Sequence, residues 1–336
     1  MKIYKFLFIN TLIMGTIMSI SSSSWFPMWM GLEINMLSII PLMSNSKSIF
    51  SSESSMKYFI IQAMASMIVL MTSIMIMMKI EFITPQVNSI QIMIMNAALF
   101  CKLGAAPFHF WFPEVMEGLT WMNCLIILSW QKIAPFMLIM NNKLHNNLNS
   151  FILISSLVIS TMMIMNQISL RKILAFSSIN HIAWMIAAMN SSYSTWTFYF
   201  TIYCLMNISI TLTFNLYKTF YLPQLFSAMN KNKNLKILTI MNFLSLGGIP
   251  PMIGFLPKWL VIQSMSNSQN FFIIALMIFL TLIVLYIYIR ITFSAITLST
   301  MEQKIYHSAP NKKLIPLMNF MMMTSLIFVT MAFNFM

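Results

Sequence analysis

Leu99-Phe100-Cys101-Lys102-Leu103-Gly104-Ala105-Ala106-Pro107-Phe108-His109-Phe110-Trp111 sets a lysine and a histidine in an apolar run and interrupts the helix between them. Pro107 has no N–H, and its ring clashes with the carbonyl of Leu103, while Gly104 loosens the same turn. A lysine at the bilayer centre costs roughly 2.5–3.5 kcal/mol on insertion scales. Irregular backbone at membrane depth persists only where protein or a wet cavity surrounds it. The stretch therefore reads as part of a polar interior, and other buried polar residues must answer Lys102.

The rest of the chain has the composition of a membrane protein. Of its 336 residues, 59% are hydrophobic and 7% charged, and the mean hydropathy is +0.81. Soluble domains carry about 25% charged residues. The net charge of +13 is spread through short loops, with no basic tail, so it reads as a topology signal rather than a nucleic-acid footprint. Cys101, Cys124 and Cys204 lie in apolar runs without CxxC or metal-like spacing, which supports neither a disulfide framework nor an iron–sulfur site. The 38 methionines, with no aspartate, fit an AT-rich gene in which AUA is read as Met, as in many animal mitochondria. They are read as lipid-facing or core filler rather than metal ligands.

Hydropathy predicts an all-α polytopic protein of about eleven transmembrane helices, near 3–20, 25–43, 57–78, 88–112, 120–141, 149–166, 172–189, 195–219, 237–263, 270–297 and 314–335. Lys2, Lys5 and the run up to Ser21–Ser24 imitate a signal peptide, but Trp25 opens another apolar segment at once, so a retained first helix is expected. The longest polar loop is expected at 222–236, and long unbroken apolar runs exclude a β-barrel. With the N-terminus and the loops after even-numbered helices on one side, that side holds fourteen Lys and Arg residues. Only Lys79 and Lys143 fall opposite. This positive-inside bias puts the N-terminus on the cytoplasm-like or matrix side and the C-terminus across the membrane.

Glu33, Lys102, Lys132 and Lys258 are charged residues within predicted helices that the loop assignment leaves over. Glu33 sits in Trp29-Met30-Gly31-Leu32-Glu33-Ile34-Asn35. Lys132 sits in Gln131-Lys132-Ile133-Ala134-Pro135, where Pro135 frees the carbonyl of Gln131. Lys258 follows Gly247, Gly248, Pro250, Pro251, Gly254 and Pro257, which cannot make a regular helix. Helices 4 and 9, broken at Gly104/Pro107 and at Gly247/Gly248/Pro250/Pro251, are five crossings apart and so run in opposite directions. Matched broken helices predict two inverted five-helix repeats, 1–141 and 149–297, with 314–336 as an additional C-terminal helix. Burial disfavours the charged ammonium and a nearby carboxylate restores it, so a Lys/Glu series joined by waters can relay protons. His181, in Phe176-Ser177-Ser178-Ile179-Asn180-His181, could extend the relay or simply be hydrogen-bonded in helix packing. His109 could mark a water entry or be a packing residue. For Lys258 the alternative is a snorkelling side chain. Glu114 and Glu117 are expected to cap the start of the next helix or face a partner, and His145 and His307 to be solvated. No covalent catalytic residue and no metal ligand is assigned.

Leu103–Trp111, Leu170-Arg171-Lys172-Ile173-Leu174-Ala175-Phe176-Ser177-Ser178-Ile179-Asn180-His181, Gly247-Gly248-Ile249-Pro250-Pro251, Trp29–Asn35 and Glu117-Gly118-Leu119-Thr120-Trp121 resemble the antiporter-like, proton-translocating subunits of respiratory complex I. The resemblance runs over the whole chain and is weakest after about Thr300. It implies two inverted repeats around a horizontal polar axis, with the family's glutamate at Glu33 and its lysines at Lys102, Lys132 and Lys258. It implies a core subunit of the mitochondrial inner membrane, coupled to electron transfer from NADH to ubiquinone. FMN, iron–sulfur clusters and ubiquinone would be held by other subunits, and the partners would be neighbouring membrane-arm subunits and lipids, not nucleic acid. Bacterial relatives have fourteen helices, and this chain is expected to begin at the equivalent of their fourth. A stand-alone cation/proton antiporter and a non-conducting spacer of the arm are the rival readings.

Overall fold

The computed structural model describes residues 3–44, 48–79, 85–142, 146–231, 233–250 and 252–297. Among these the regular structure is helical, apart from one isolated antiparallel bridge between Ser169 and Tyr221. Eight helices or helix pairs are long and apolar enough to cross a bilayer. The segments interrupted at Gly104 and Gly248 fall outside that count, the apolar part of α4 being Ile90–Leu103. The expected last helix, 314–335, lies outside the described residues, as do Pro251, His145 and His307. The chain forms two compact units, Met1–Ser155 and Ser156–Met336.

The first unit begins with the hairpin of α1 (Ile3–Ser21) and α2 (Trp25–Met43). Two glycines let these backbones touch. A Cβ at Gly15 would lie 2.9 Å from the Asn35 nitrogen, and one at Gly31 would lie 2.6 Å from the Ser19 nitrogen. Small residues at a helix crossing serve this close approach, in which dispersion and packing replace a hydrophobic driving force. Next come α3 (Ile49–Lys79), α4 (Pro85–Leu103), α5 (Trp111–Gly118), α6 (Trp121–Leu128) and α7 (Trp130–Asn141), then α8 (Asn146–Ile164), which runs past the unit boundary. The predicted fifth helix is thus two helices. They part at Ser129, six residues before Pro135, where the Ser129 hydroxyl donates to the Leu125 carbonyl at 2.6 Å. A tight turn follows, with the Lys132 amide on the Ser129 carbonyl at 3.2 Å.

Lys57, expected in a loop, lies inside α3, which begins eight residues before the predicted start. It pairs with Glu53 at 2.9 Å, one turn before it, and with Glu114 of α5 at 3.0 Å. Glu114 therefore joins α5 to α3 instead of capping the next helix, whose N-cap is Thr120. Both partners are about half exposed, and ion pairs in water contribute little. Glu114→Gln should leave the thermal midpoint of the assembled protein unchanged in a melting scan.

The second unit is built on α9 (Leu170–Met189), which is buried on every side. Around it stand α10 (Tyr193–Tyr217), α12 (Lys233–Gly247), α13 (Phe255–Asn267) and α14 (Phe271–Thr297). The Ser192 hydroxyl caps α10 by accepting from the Thr195 amide. The Leu170 amide donates to the Phe220 carbonyl at 2.9 Å and the Leu222 amide to the Ile168 carbonyl at 3.1 Å, tying the start of α9 to the end of α10. The expected polar loop 222–236 is mostly helical: α11 (Leu222–Lys231) fills its first two-thirds and α12 starts within it. Leu222, Leu225, Phe226 and Met229 recur at i, i+3, i+4 and i+7, and Leu225 and Met229 are buried. Such spacing makes one apolar stripe, so a segment polar on average still folds as an amphipathic helix.

Both interrupted spans end their first half in the same way. Gly104 has φ +74°, its amide donates to the Cys101 carbonyl, and the Ala105 amide donates to the Phe100 carbonyl, each at 3.1 Å. Gly248 has φ +78°, with its amide on the Ser245 carbonyl at 3.1 Å and the Ile249 amide on the Leu244 carbonyl at 3.3 Å. This is the Schellman closure, in which a residue in the left-handed region stops the helix and only glycine occupies that region without strain. The Ala106–Pro107 bond is cis.

Candidate functional site

In the first unit, α4 brings Lys102 to its last turn, where the side chain is buried at 7% exposure. The Lys102 side chain borders a small cavity of about 10 Å³, close to the room one water needs, with Asn35, Tyr58, Gln62 and Gln131. The polar lining is connected. The Gln131 amide donates to Asn35 Oδ1 at 2.8 Å, the Tyr58 hydroxyl donates to Gln131 Oε1 at 3.3 Å, and the Gln62 amide donates to the Lys102 carbonyl at 3.2 Å. The break supplies that last acceptor. Carbonyls in a final helical turn can lack an amide partner, and the Trp111 indole, at 3.2 Å, shares the Cys101 carbonyl with the Gly104 amide.

Glu33, half-buried on α2, lies close enough to Lys102 to act on it electrostatically, yet the two do not touch. The ion pairs among the described residues are those of Lys57. The expected Glu33–Lys102 partnership therefore acts at a distance, beside a polar cavity, and not as a closed salt bridge. Such an ammonium feels a carboxylate through space that water can enter, so its charge responds to small movements of either group. Lys132, on α7, is 2% exposed, and its Nζ lies 5.7 Å from the Phe112 ring centroid, within cation–π range. Its chain neighbour Gln131 belongs to the cavity wall, while Lys132 itself is not among the lining residues. His109 sits in the break between α4 and α5. It is buried, with Nδ1 3.3 Å from the Pro107 carbonyl and its ring 4.3 Å from that of Phe110.

In the second unit, the break itself holds Lys258. Its Nζ donates to the Gly247 carbonyl at 2.9 Å and to the Leu246 carbonyl at 3.4 Å, both in the open last turn of α12. Its Nζ also lies 5.8 Å from the Trp184 ring centroid on α9. At 7% exposure and with these partners, Lys258 does not snorkel. His181 is buried on α9, its Nδ1 2.9 Å from the Tyr199 hydroxyl and its ring 5.1 Å from that of Tyr203. Tyr203 lies near Ser178 and Asn207, and Tyr288 of α14 near Ser177. His181 is therefore one member of a buried polar cluster that also reaches the helix break.

Sequence reading missed Asn35, Tyr58, Gln62 and Gln131 as cavity residues. Asn35 and Gln131 were visible, two residues after Glu33 and one before Lys132. Gln62 was visible as the lone amide in the apolar run after Tyr58. Only their convergence on one cavity, which depends on how α2, α3, α4 and α7 pack, gives them a role. Among the described residues, no group of three or more His, Cys, Asp or Glu is arranged to hold a metal ion.

Residues 22–285 match the family model described as NADH:quinone oxidoreductase/Mrp antiporter, transmembrane. The chain is 49% identical over 302 residues to an Anopheles gambiae protein named NADH-ubiquinone oxidoreductase chain 2, covering 89% of this chain and 87% of that one. It is 42% identical over 332 residues to the Locusta migratoria protein of the same name, covering 99% and 97%. A chain of respiratory complex I from Thermus thermophilus superposes with a TM-score of 0.85 at 19% identity, over 98% of this chain and 77% of that one. One from a Dietzia Mrp complex superposes at 0.74 and 13% identity, over 90% and 61%. These two likenesses establish the antiporter-like fold. Family model, relatives and fold agree, and the chain belongs to the NADH-ubiquinone oxidoreductase chain 2 family.

Proposed function

We propose that the chain is a proton-translocating core subunit of the complex I membrane arm, multi-pass in the mitochondrial inner membrane. The N-terminus would face the matrix and the C-terminus the intermembrane space. The observation that carries this is Lys102, buried beside a polar cavity, with Glu33 near but not touching it and the hydrogen-bonded Asn35, Gln131 and Tyr58 on the same cavity wall. Residues 1–141 and 149–297 would be two inverted five-helix repeats, with 314–336 as a further helix. Electrons would pass from NADH to ubiquinone in other subunits, which hold FMN and iron–sulfur clusters. Neighbouring antiporter-like subunits and lipids would surround this one.

In this mechanism the cycle starts when a conformational change alters the Glu33–Lys102 separation. At ~332/(εr) kcal/mol, a shift of a few ångströms in a low-dielectric site changes the stability of the ammonium by an amount comparable to a proton-transfer step. Lys102 then passes its proton through water along the Gln131 wall to Lys132, and onward to Lys258. Lys102→Met and Glu33→Gln, each in the assembled complex, should lower the protons pumped per NADH oxidised while the peripheral arm still oxidises NADH with an artificial acceptor. Wild-type ratios in both variants would leave the chain a structural spacer.

A further inference from the structure

We infer that Trp184 is a positioning residue for Lys258: its indole face stands in for a counter-ion and holds the lysine as an ammonium at the helix break. The inference rests on the relay role proposed for Lys258.

Between Glu117 and Glu302 the chain has no Asp or Glu. The helices packed against α13, namely α9, α10 and α14, therefore bring no carboxylate to Lys258, and neither does α12, whose end it touches. Lys102 differs, since Glu33 acts on it from α2. An ammonium taken out of water with no anion beside it is costly, and only dipoles or π-faces aimed at the charge remain to offset that cost.

Both are present around Lys258. Its Nζ meets the Gly247 carbonyl at 2.9 Å and the Leu246 carbonyl at 3.4 Å. These belong to the last turn of α12, where unshared carbonyls form the negative end of the helix dipole. The Trp184 ring lies under the same Nζ, 5.8 Å away at its centroid. That is within cation–π reach, and indole offers the strongest face of the aromatic side chains. Gly248 leaves the cradle open for the lysine, because a Cβ there would stand 3.0 Å from Nζ.

Trp184 is 1% exposed, and its Nε1 has no hydrogen-bond partner among the described residues. Buried indole N–H groups usually find one. The ring is therefore placed by its faces and not by its polar edge. It stands on α9, which is buried on every side, so it is a fixed wall against which a flexible lysine stem can swing. The face attracts the ammonium and has no such pull on the free amine. In a water-free site a contact of this kind changes the ratio of the two forms by about tenfold. Lys132 has a similar contact, 5.7 Å from the Phe112 ring, so a ring facing a buried lysine occurs in both units.

The test uses the assembled complex. Trp184→Met, flexible enough to fill the space without a π-face, should lower protons pumped per NADH towards the value given by Lys258→Met. Trp184→Phe, which keeps a face and gives up only an unpaired N–H, should retain most of the parental ratio. Trp184→Met added to Lys258→Met should lower the ratio no further, since the ring acts through the lysine. Equal losses in the Phe and Met variants, or additive losses in the double variant, would make Trp184 a packing residue and overturn the inference. So would a map of the parental complex that shows a neighbouring subunit's carboxylate at salt-bridge distance from Lys258 Nζ, and that map decides even if Trp184→Met does not assemble. If Lys258→Met lowers the ratio and Trp184→Met pumps like the parent, Trp184 has no such role and the relay stands. If Lys258→Met itself pumps like the parent, the relay reading fails.

Discussion

Gly254→Ala should abolish assembly of the protein. A Cβ at this position would fall on the carbonyl oxygen of Ser245 and also meet Met206 Sδ at 3.2 Å. The first obstacle is backbone, at the point where α10, α12 and the start of α13 meet, so no rotamer change relieves it. Gly254 has φ −68°, an ordinary value for alanine, so the penalty is purely one of space. Overpacking in a tight core costs about 1–3 kcal/mol when side chains can yield, and more when backbone must move. α13 carries Lys258, hence any shift that admits the methyl also displaces the lysine. The expected result is loss of assembled complex on a native gel, with the subunit degraded. A variant that assembles at parental levels would refute this close approach.

Gly248→Ala should assemble poorly and, in the fraction that assembles, pump like Lys258→Met, whereas Gly247→Ala next to it should behave almost like the parent. At Gly248, φ +78° costs an L-residue roughly 1–2 kcal/mol. The new Cβ would also stand 3.0 Å from both Nζ and Cδ of Lys258, pushing the ammonium off the Gly247 carbonyl. At Gly247 the nearest atoms to a new Cβ are Tyr288 at 3.5 Å and Leu285 at 3.6 Å, which is ordinary contact. Alanine is also the better helix former there, by up to ~1 kcal/mol. Measuring assembled complex and protons per NADH for the two variants side by side checks this, and equal behaviour would separate Lys258 from the helix break.

The contrast between these neighbouring glycines shows how far the residues could be read in advance. Gly104 and Gly248 were legible as helix breaks because glycine and proline act locally, on φ and on a single missing N–H. Lys102, Lys132, Lys258 and Glu33 were legible because a charge in an apolar run is costly wherever the run packs. α11 was not legible as a helix, since its stripe of Leu222, Leu225, Phe226 and Met229 is short and lies among polar residues. The break at Ser129 was not legible either: the apolar run 120–141 reads as one helix, and Pro135 marks only a freed carbonyl at Gln131.

By itself, the sequence determined an all-helical membrane protein with two interrupted spans and with Glu33, Lys102, Lys132 and Lys258 in apolar runs. Those properties follow from hydropathy and backbone sterics, which act over one or two turns. Tertiary structure alone decided that Glu33 acts on Lys102 without touching it, and that Asn35, Tyr58, Gln62 and Gln131 share a cavity with the lysine. It also decided that Lys258 is held by the carbonyls freed where its own span breaks. The physical reason is that electrostatic coupling and hydrogen bonding depend on distances of a few ångströms between different helices, and those distances are set by packing.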